Sequence, residues 1–358
     1  MARYAHGLTG RRRRLRSRDR RLLIAAAMSL AVVGASSAEA LTIIPVYDSS
    51  VTSLANAATV EAAFQAVANE FDDSFAAPVT VKIGVSWGKV NGHSLGWGNI
   101  AASQSPLTGP FSYSDVAAIF AADAASNPTD VSMALAAANL AANSPAGSLP
   151  YEVPYAQAQA IGFLPPTMNP DSGYVGFSSS TTWDYSPANG ISTGAYDFQG
   201  LAAHEISEVL GRITGLATSR PIYATLMDAL RYSAPGASSF SYSTPAYLSI
   251  DGGVTKLGAF NYSGAGDRSD WLPVAGDAQS AFLSTGVRYG LSSGDMTALD
   301  VLGWGAWTRL VSYASIGDVG FASPSDGRGV PEPGTWLLML TGLGLVGAAT
   351  RRRRRSAA

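Results

Sequence analysis

The run at residues 202–212, AAHEISEVLGR, constrains this chain more than any other. Its apolar members recur at the spacing of a helix that packs against a core: Ile206, Val209 and Leu210. Residues four positions apart lie on the same side of a helix, so His204 and Glu208 can reach a single ion. Glu205 lies beside them, where a carboxylate can take a proton from a water molecule. The run therefore predicts a packed helix with a candidate metal site.

Charge is distributed unevenly along the 358 residues. Residues 41–350 carry 10 Lys and Arg against 24 Asp and Glu, whereas arginine runs occupy both ends. An acidic body argues against nucleic acid as a partner. The basic start, the apolar run at residues 22–33 and the small-x-small sequence at residues 38–40 indicate a secretory signal peptide at residues 1–40. The alternative is a retained membrane anchor, although the apolar run is short for a span.

The C-terminal residues combine three features in a fixed order. A Pro-Glu-Pro sequence at residues 331–333 precedes an apolar segment at about residues 336–349, and an arginine run follows at residues 351–355. The positive-inside rule keeps such arginines in the cytoplasm. This order resembles the PEP-CTERM sorting tail of Gram-negative bacteria. The resemblance implies export, transient anchoring in the inner membrane, cleavage by an exosortase, and a final location in the cell envelope or extracellular matrix.

The body of the chain mixes helical and strand patterns without a regular alternation, which favours an α+β fold. Helical spacing occurs at residues 60–71, 115–125, 130–142 and 293–304, and strand patterns occur at residues 79–86, 173–178 and 247–250. The predicted organisation is a signal peptide at residues 1–40, one folded domain at residues 41–320, a Ser/Pro/Gly-rich linker at residues 321–330 and the sorting tail at residues 331–358.

A catalytic zinc ion needs about three protein ligands and an open position for water. His204 offers an imidazole and Glu208 a carboxylate, while Glu205 is suited to act as general base. The third ligand must come from elsewhere, because the chain after its signal peptide contains only one other histidine, His93. We expect Asp228 to be the third ligand and keep His93 as the second choice.

This pattern resembles the zinc metalloproteases of the zincin group, and more closely the metzincin-like metalloproteases of bacteria that export proteins with sorting tails. The residues that carry the resemblance lie at 203–212, 227–236, 249–253 and 299–304. It implies a single metzincin-like catalytic domain at residues 41–320, with a mixed sheet, packed helices and zinc as cofactor. Glu208 stands where the family has its second histidine, and Thr214 where metzincins have a third. Ligation by carboxylates also suits Mn²⁺ or Ca²⁺, so another divalent ion is the alternative.

The expected function is an exported, metal-dependent endopeptidase that acts on a protein or peptide substrate. The site residues expected for it are Glu205 and Tyr232 in catalysis, and His204, Glu208 and Asp228 at the metal. The alternative is a non-catalytic surface or matrix-associated protein with a degenerate protease fold. In that case Glu208 could form an ion pair with Arg212, four residues further along the helix.

Other polar residues have less specific interpretations. Arg212 and Arg231 could bind a substrate carboxylate or pair with neighbouring acids, and structural pairing is favoured. Asp267, Asp270 and Asp277 could hold Ca²⁺, but their spacing does not match a calcium-binding loop. We therefore interpret these three residues as ordinary loop acids.

Overall fold

The computed structural model describes residues 40–305, apart from residues 97, 143–148, 166–170, 217 and 264–265. The predictions of a signal peptide at residues 1–40, a linker at residues 321–330 and a sorting tail at residues 331–358 lie outside the described residues, except for residue 40. The apolar segment at residues 336–349 lies outside them too. Within the described part of the chain, no helix is both long enough and apolar enough to cross a bilayer.

Short strands and helices are spread along the whole described chain. The strands are β1 Thr42–Tyr47, β2 Thr80–Trp87, β3 Lys89–Val90, β4 His93–Ser94, β5 Ala101–Gln104, β6 Leu107–Phe111, β7 Tyr151–Pro154, β8 Gly173–Phe177, β9 Trp183–Asp184, β10 Tyr196–Asp197, β11 Arg231–Ala234, β12 Ala237–Ser238, β13 Tyr247–Leu248 and β14 Gly258–Ala259. The helices are α1 Ser49–Thr52, α2 Ala57–Ser74, α3 Tyr113–Ser126, α4 Val131–Ala142, α5 Tyr155–Ala160, α6 Phe198–Val209, α7 Leu226–Ala229 and α8 Ser293–Leu299, with a 3-10 turn at Pro187–Asn189 and a π-type turn at Asp300–Trp304. The mixture of helices and sheets expected from the sequence is confirmed.

A four-stranded mixed sheet lies at the centre of this fold, in the order β1-β2-β8-β5. Strands β1, β2 and β8 run parallel, and β5 lies antiparallel to β8 at one edge. Alternate residues of β2 are fully buried, as the period of two in a strand requires: Val81, Ile83 and Val85. Helix α2 packs on β1 and on α6, and α6 packs on β8 and β5. The helix that carries His204 is thus held against the edge strand of the sheet.

Helix α6 is buried on every side, because all residues from 200 to 212 are buried. The helix begins after Asp197, whose side chain accepts a hydrogen bond from the backbone N–H of Gly200 at 3.1 Å. It ends before Gly211, whose φ of 108° lies in the left-handed region that favours glycine. A Cβ at that position would lie 2.5 Å from the side chain of Gln157. The polar side chains of α6 therefore face protein groups instead of solvent.

The chain after α6 contains a long stretch without regular structure. A small antiparallel sheet has the order β12-β11-β13-β14. The described residues in the range 260–291 form isolated β-bridges but no helix and no longer strand. We call residues 260–291 the irregular segment. Many of its polar side chains are buried: Asn261, Asp267, Arg268, Ser269, Asp270, Asp277, Gln279 and Ser280. Burying polar groups is unfavourable unless they gain partners, so this segment depends on specific internal contacts.

Two buried carboxylates meet where α4 begins and α8 ends. Asp130 caps α4, since its side chain accepts a hydrogen bond from the backbone N–H of Met133 at 2.9 Å. Asp300 follows α8, is 2% exposed, and receives no hydrogen bond at Oδ1 from any described residue. Burial, together with the charge of Asp130, raises the pKa of Asp300 to about 7. The folded protein therefore retains a proton here that the unfolded chain would release at lower pH.

We expect Asp300→Asn to raise the free energy of unfolding at pH 8, by about 2–4 kcal/mol. The folded pKa lies above the unfolded value, so the stabilising contribution of Asp300 is present at low pH and is lost as the pH rises through about 7. The uncharged amide of asparagine does not ionise. The free energy of unfolding should therefore decline less between about pH 4 and pH 7 in Asp300→Asn than in the wild type. Urea denaturation at several pH values measures both effects. The same change at exposed Asp171 is the control, and an unaltered pH slope in Asp300→Asn would contradict the prediction.

Candidate metal centre

Three buried side chains converge beside α6: His204 and Glu208 from the helix, and Asp270 from the irregular segment. Nε2 of His204 lies 3.6 Å from Oε1 of Glu208 and 3.7 Å from Oδ1 of Asp270. The donor atoms of the group all lie within 4.8 Å of one another. Donors at about 2.0–2.2 Å from a tetrahedral ion are roughly 3.3–3.6 Å apart. The three side chains therefore have nearly the spacing of ligands around one cation.

The imidazole of His204 is oriented by the irregular segment. Its Nδ1 lies 2.7 Å from the backbone carbonyl oxygen of Ala278. A proton on Nδ1 donates to that carbonyl, and Nε2 faces Glu208 and Asp270. Histidines that bind metals generally have their second nitrogen held by such an acceptor. The ring is therefore held in the orientation of a metal ligand.

Glu208 is held from the sheet side. Its Oε2 accepts a hydrogen bond of 2.5 Å from the hydroxyl of Ser103 on β5, and Oε1 faces His204. Burial opposes ionisation, but the hydrogen bond and charge of His204, the Ser103 hydroxyl and the nearby Arg212 together lower the pKa of Glu208. The side chain is consequently a carboxylate, which is the form that binds a cation.

Asp270 is the least satisfied member of the group. It is 0% exposed, and no described residue donates a hydrogen bond to either of its carboxylate oxygens. Burial raises the pKa of Asp270 well above its usual range, while His204 and Arg212 act in the opposite direction. A buried carboxylate without hydrogen bonds is costly, and a bound cation would supply the missing partner. The donor set therefore fits a divalent ion.

Asp228, the third ligand expected from the sequence, is not a member of this group. Both of its oxygens are used locally: Oδ1 accepts from the hydroxyl of Thr214 at 2.5 Å, and Oδ2 accepts from the backbone N–H groups of Gly215 and Thr225, both at 2.8 Å. Asp228 forms a capping box with Thr225 at the start of α7. The second choice, His93, is exposed on the β3–β4 hairpin. Neither residue is placed to complete the donor set.

The two residues expected in catalysis are both buried. The hydroxyl of Tyr232 accepts a hydrogen bond of 2.5 Å from Nδ2 of Asn139 on α4. Burial raises the pKa of Tyr232, so the phenol stays neutral. This contact gives Tyr232 a structural partner, and its catalytic role stays a prediction. Glu205 follows His204 on α6, and its role as general base stays a prediction as well.

Arg212 does not form the ion pair with Glu208 that helical spacing allows. It pairs with other acids instead. Its guanidinium lies at ion-pair distance from Asp270 and Asp295, and it stacks on the ring of Trp271. Its influence on Glu208 is limited to a longer-range coulombic effect. The structure therefore gives Arg212 the pairing role that was favoured over substrate binding, but with other partners.

The acids around Asp270 differ from the ordinary loop acids that the sequence predicts. Asp267, Asp270 and Asp277 are all buried, although loop acids are normally solvated. Only Asp270 joins the donor group, since among the described residues the group consists of His204, Glu208 and Asp270. Asp267 accepts hydrogen bonds from the backbone N–H and hydroxyl of Ser269. The only sign in the sequence is an acidic loop next to a tryptophan. This loop is far from α6 along the chain, so the sequence does not indicate that Asp270 lies beside His204.

Comparison with known proteins finds a match for the C-terminal residues. Residues 329–355 match the family model of the PEP-CTERM protein-sorting motif. The C-terminal tail is a PEP-CTERM sorting signal. Proteins with this motif are exported and processed at the membrane by an exosortase, which recognises the tail. No curated protein and no solved structure matches the chain.

We expect Asp228→Asn to lower the free energy of unfolding by about 1–2 kcal/mol, because the capping box and the hydrogen bonds from the loop before α7 are weakened. Divalent-cation binding should be unchanged, since this carboxylate serves the fold. Urea denaturation and a Zn²⁺ titration measure the two properties. Asp115→Asn, at the equivalent position of the exposed capping box of α3, is the matched control. Loss of Zn²⁺ binding in a folded Asp228→Asn variant would restore Asp228 as a ligand.

Proposed function

We propose that this protein is an exported, metal-dependent endopeptidase of metzincin-like fold. One observation carries the proposal: an imidazole nitrogen and two carboxylate oxygens meet in a buried group, and one of those carboxylates has no hydrogen bond from a described residue. One nitrogen and two oxygen donors suit zinc, and the two carboxylates keep Mn²⁺ as the alternative. The sorting tail supports export.

The proposed residue roles follow from position and chemistry. His204, Glu208 and Asp270 would hold the cation. A bound divalent ion would supply a water of lowered pKa and would polarise the carbonyl that is attacked. The carboxylate of Glu205, next to His204 on α6, takes the proton of the attacking water and passes it to the nitrogen of the leaving amine. Ser103 and the carbonyl of Ala278 hold Glu208 and His204 in place.

The edge strand β5 favours an extended peptide as the substrate. β5 pairs with β8 on one side, and no described strand pairs with its other side. Ser103 of β5 contacts Glu208, so this strand runs beside the donor group. An extended peptide can add to a free strand edge through main-chain hydrogen bonds, whatever its side chains. A peptide bound in this way would bring its carbonyl groups alongside Glu208.

The depth of the donor group favours a second candidate, a structural metal centre in a non-catalytic surface or matrix protein. Glu208 is the most exposed of the three donors, at 6%. Structural metal sites are closed, whereas catalytic sites keep a position open for water. In this second candidate the cation ties α6 to the irregular segment and stabilises the fold without turnover.

We expect the purified protein to bind about one divalent ion per chain. His204→Ala, Glu208→Gln and Asp270→Asn should each reduce the bound metal, because each removes one donor. Elemental analysis after dialysis measures the metal, and Asp115→Asn on α3 is the control for loss of an acid elsewhere. Equal metal in the wild type and in all three folded variants would rule out this centre.

We expect Glu205→Gln to reduce hydrolysis of labelled casein by about 10²–10⁴-fold while leaving the metal content unchanged, since an amide cannot accept the proton. Glu61→Gln on α2 controls for the loss of a glutamate from a helix. Full activity in Glu205→Gln would remove Glu205 from the mechanism. Metal-loaded wild type without any activity on casein or other peptides would favour the structural centre.

A further inference from the structure

Arg212 connects the donor group to a further acid. Its side chain is 0% exposed, and its Nη1 lies 3.7 Å from Oδ1 of Asp270. On the other side, its Nε lies 3.6 Å from Oδ1 of Asp295. The guanidinium stacks 4.2 Å from the centre of the Trp271 ring. The indole N–H of Trp271 donates to the same Asp295 oxygen at 2.7 Å. One buried positive charge is thus held between two buried acids.

The contacts of Arg212 are electrostatic and lack hydrogen bonds. Its Nε, Nη1 and Nη2 form no hydrogen bond with any described residue. A guanidinium normally engages a carboxylate through short, parallel hydrogen bonds. The attraction between charges falls off slowly with distance and is strong in a buried site, whereas a hydrogen bond is lost beyond about 3.5 Å. Arg212 therefore acts on its neighbours mainly through its charge.

Asp270 is shared between Arg212 and the donor group. The same oxygen, Oδ1, faces Nε2 of His204 and Nη1 of Arg212. Without a bound cation, Arg212 is the positive charge that offsets Asp270, and its removal would leave that carboxylate uncompensated in the interior. With a cation bound, Arg212 and the cation attract the same oxygen and repel each other.

We infer that Arg212 is a positioning residue of the metal centre that acts through Asp270, holding this carboxylate in the cation-free protein and weakening the binding of the cation. Asp295 has the opposite effect, because it draws the charge of Arg212 away from Asp270. The inference rests on the proposed metal centre. It says that Arg212 and Asp295 together set the affinity of that centre for its cation.

Zn²⁺ titration of the purified full-length protein, stripped with a chelator, tests this assignment. Arg212→Gln should bind Zn²⁺ about tenfold more tightly, because the repelling charge is gone. Asp295→Asn should bind Zn²⁺ about tenfold more weakly, because Arg212 is left with Asp270 as its main partner. Arg212→Lys keeps the charge and should bind within about threefold of the wild type. Urea denaturation of the metal-free proteins should show that Arg212→Gln is less stable than Arg212→Lys.

The opposite signs separate this role from damage to the fold, since general damage weakens Zn²⁺ binding in both variants. Unchanged or weaker binding by folded Arg212→Gln overturns the inference and leaves the metal centre intact. If Arg212→Gln does not fold, Asp295→Asn decides: weaker Zn²⁺ binding with an unchanged free energy of unfolding of the metal-free protein supports the inference, and any other result overturns it. A wild type that binds no Zn²⁺ overturns the metal centre and this inference together.

Discussion

The structure depends on how buried charges are compensated in the absence of water. Helix α6 is enclosed on all sides, so the polar groups of its motif must be satisfied by the protein or by a bound ion. Asp270 and Arg212 add two fully buried ionisable groups beside it. Neither of them forms enough hydrogen bonds with the described residues to offset its desolvation. Opposite charge at close range is what makes their burial tolerable.

The irregular segment supplies several of the groups that compensate the buried polar side chains around α6. It supplies the carbonyl of Ala278 to His204, the carboxylate of Asp270 to the donor group, and the ring of Trp271 to Arg212. Regular strands could not place three such different groups around one helix, because their side chains alternate between two faces. The chain has no cysteine, so disulfides cannot hold this segment in place. A cation shared by α6 and the segment would do so, coupling metal binding to the stability of the fold.

Local patterns in the sequence predicted the elements and contacts that depend on nearby residues. The helix that carries His204 follows from the short-range spacing of its apolar residues. The sorting tail was equally readable, since its three features adjoin one another. Asp228 and Asp270 look alike in sequence, and only the tertiary fold places one in a capping box and the other beside His204 and Glu208. Short strands such as β5 have too few residues to show a period.

The direction from which a substrate could arrive follows from how the three donors are held. His204 is fixed by Ala278 and Asp270 lies against Arg212, and all of these contacts are buried. Glu208 alone keeps some exposure, and its partner Ser103 belongs to the edge strand β5. A substrate would therefore reach the donor group from the side of Glu208 and Ser103. β5 is also the strand to which an extended peptide would add, so a bound peptide would lie on the same side of the donor group.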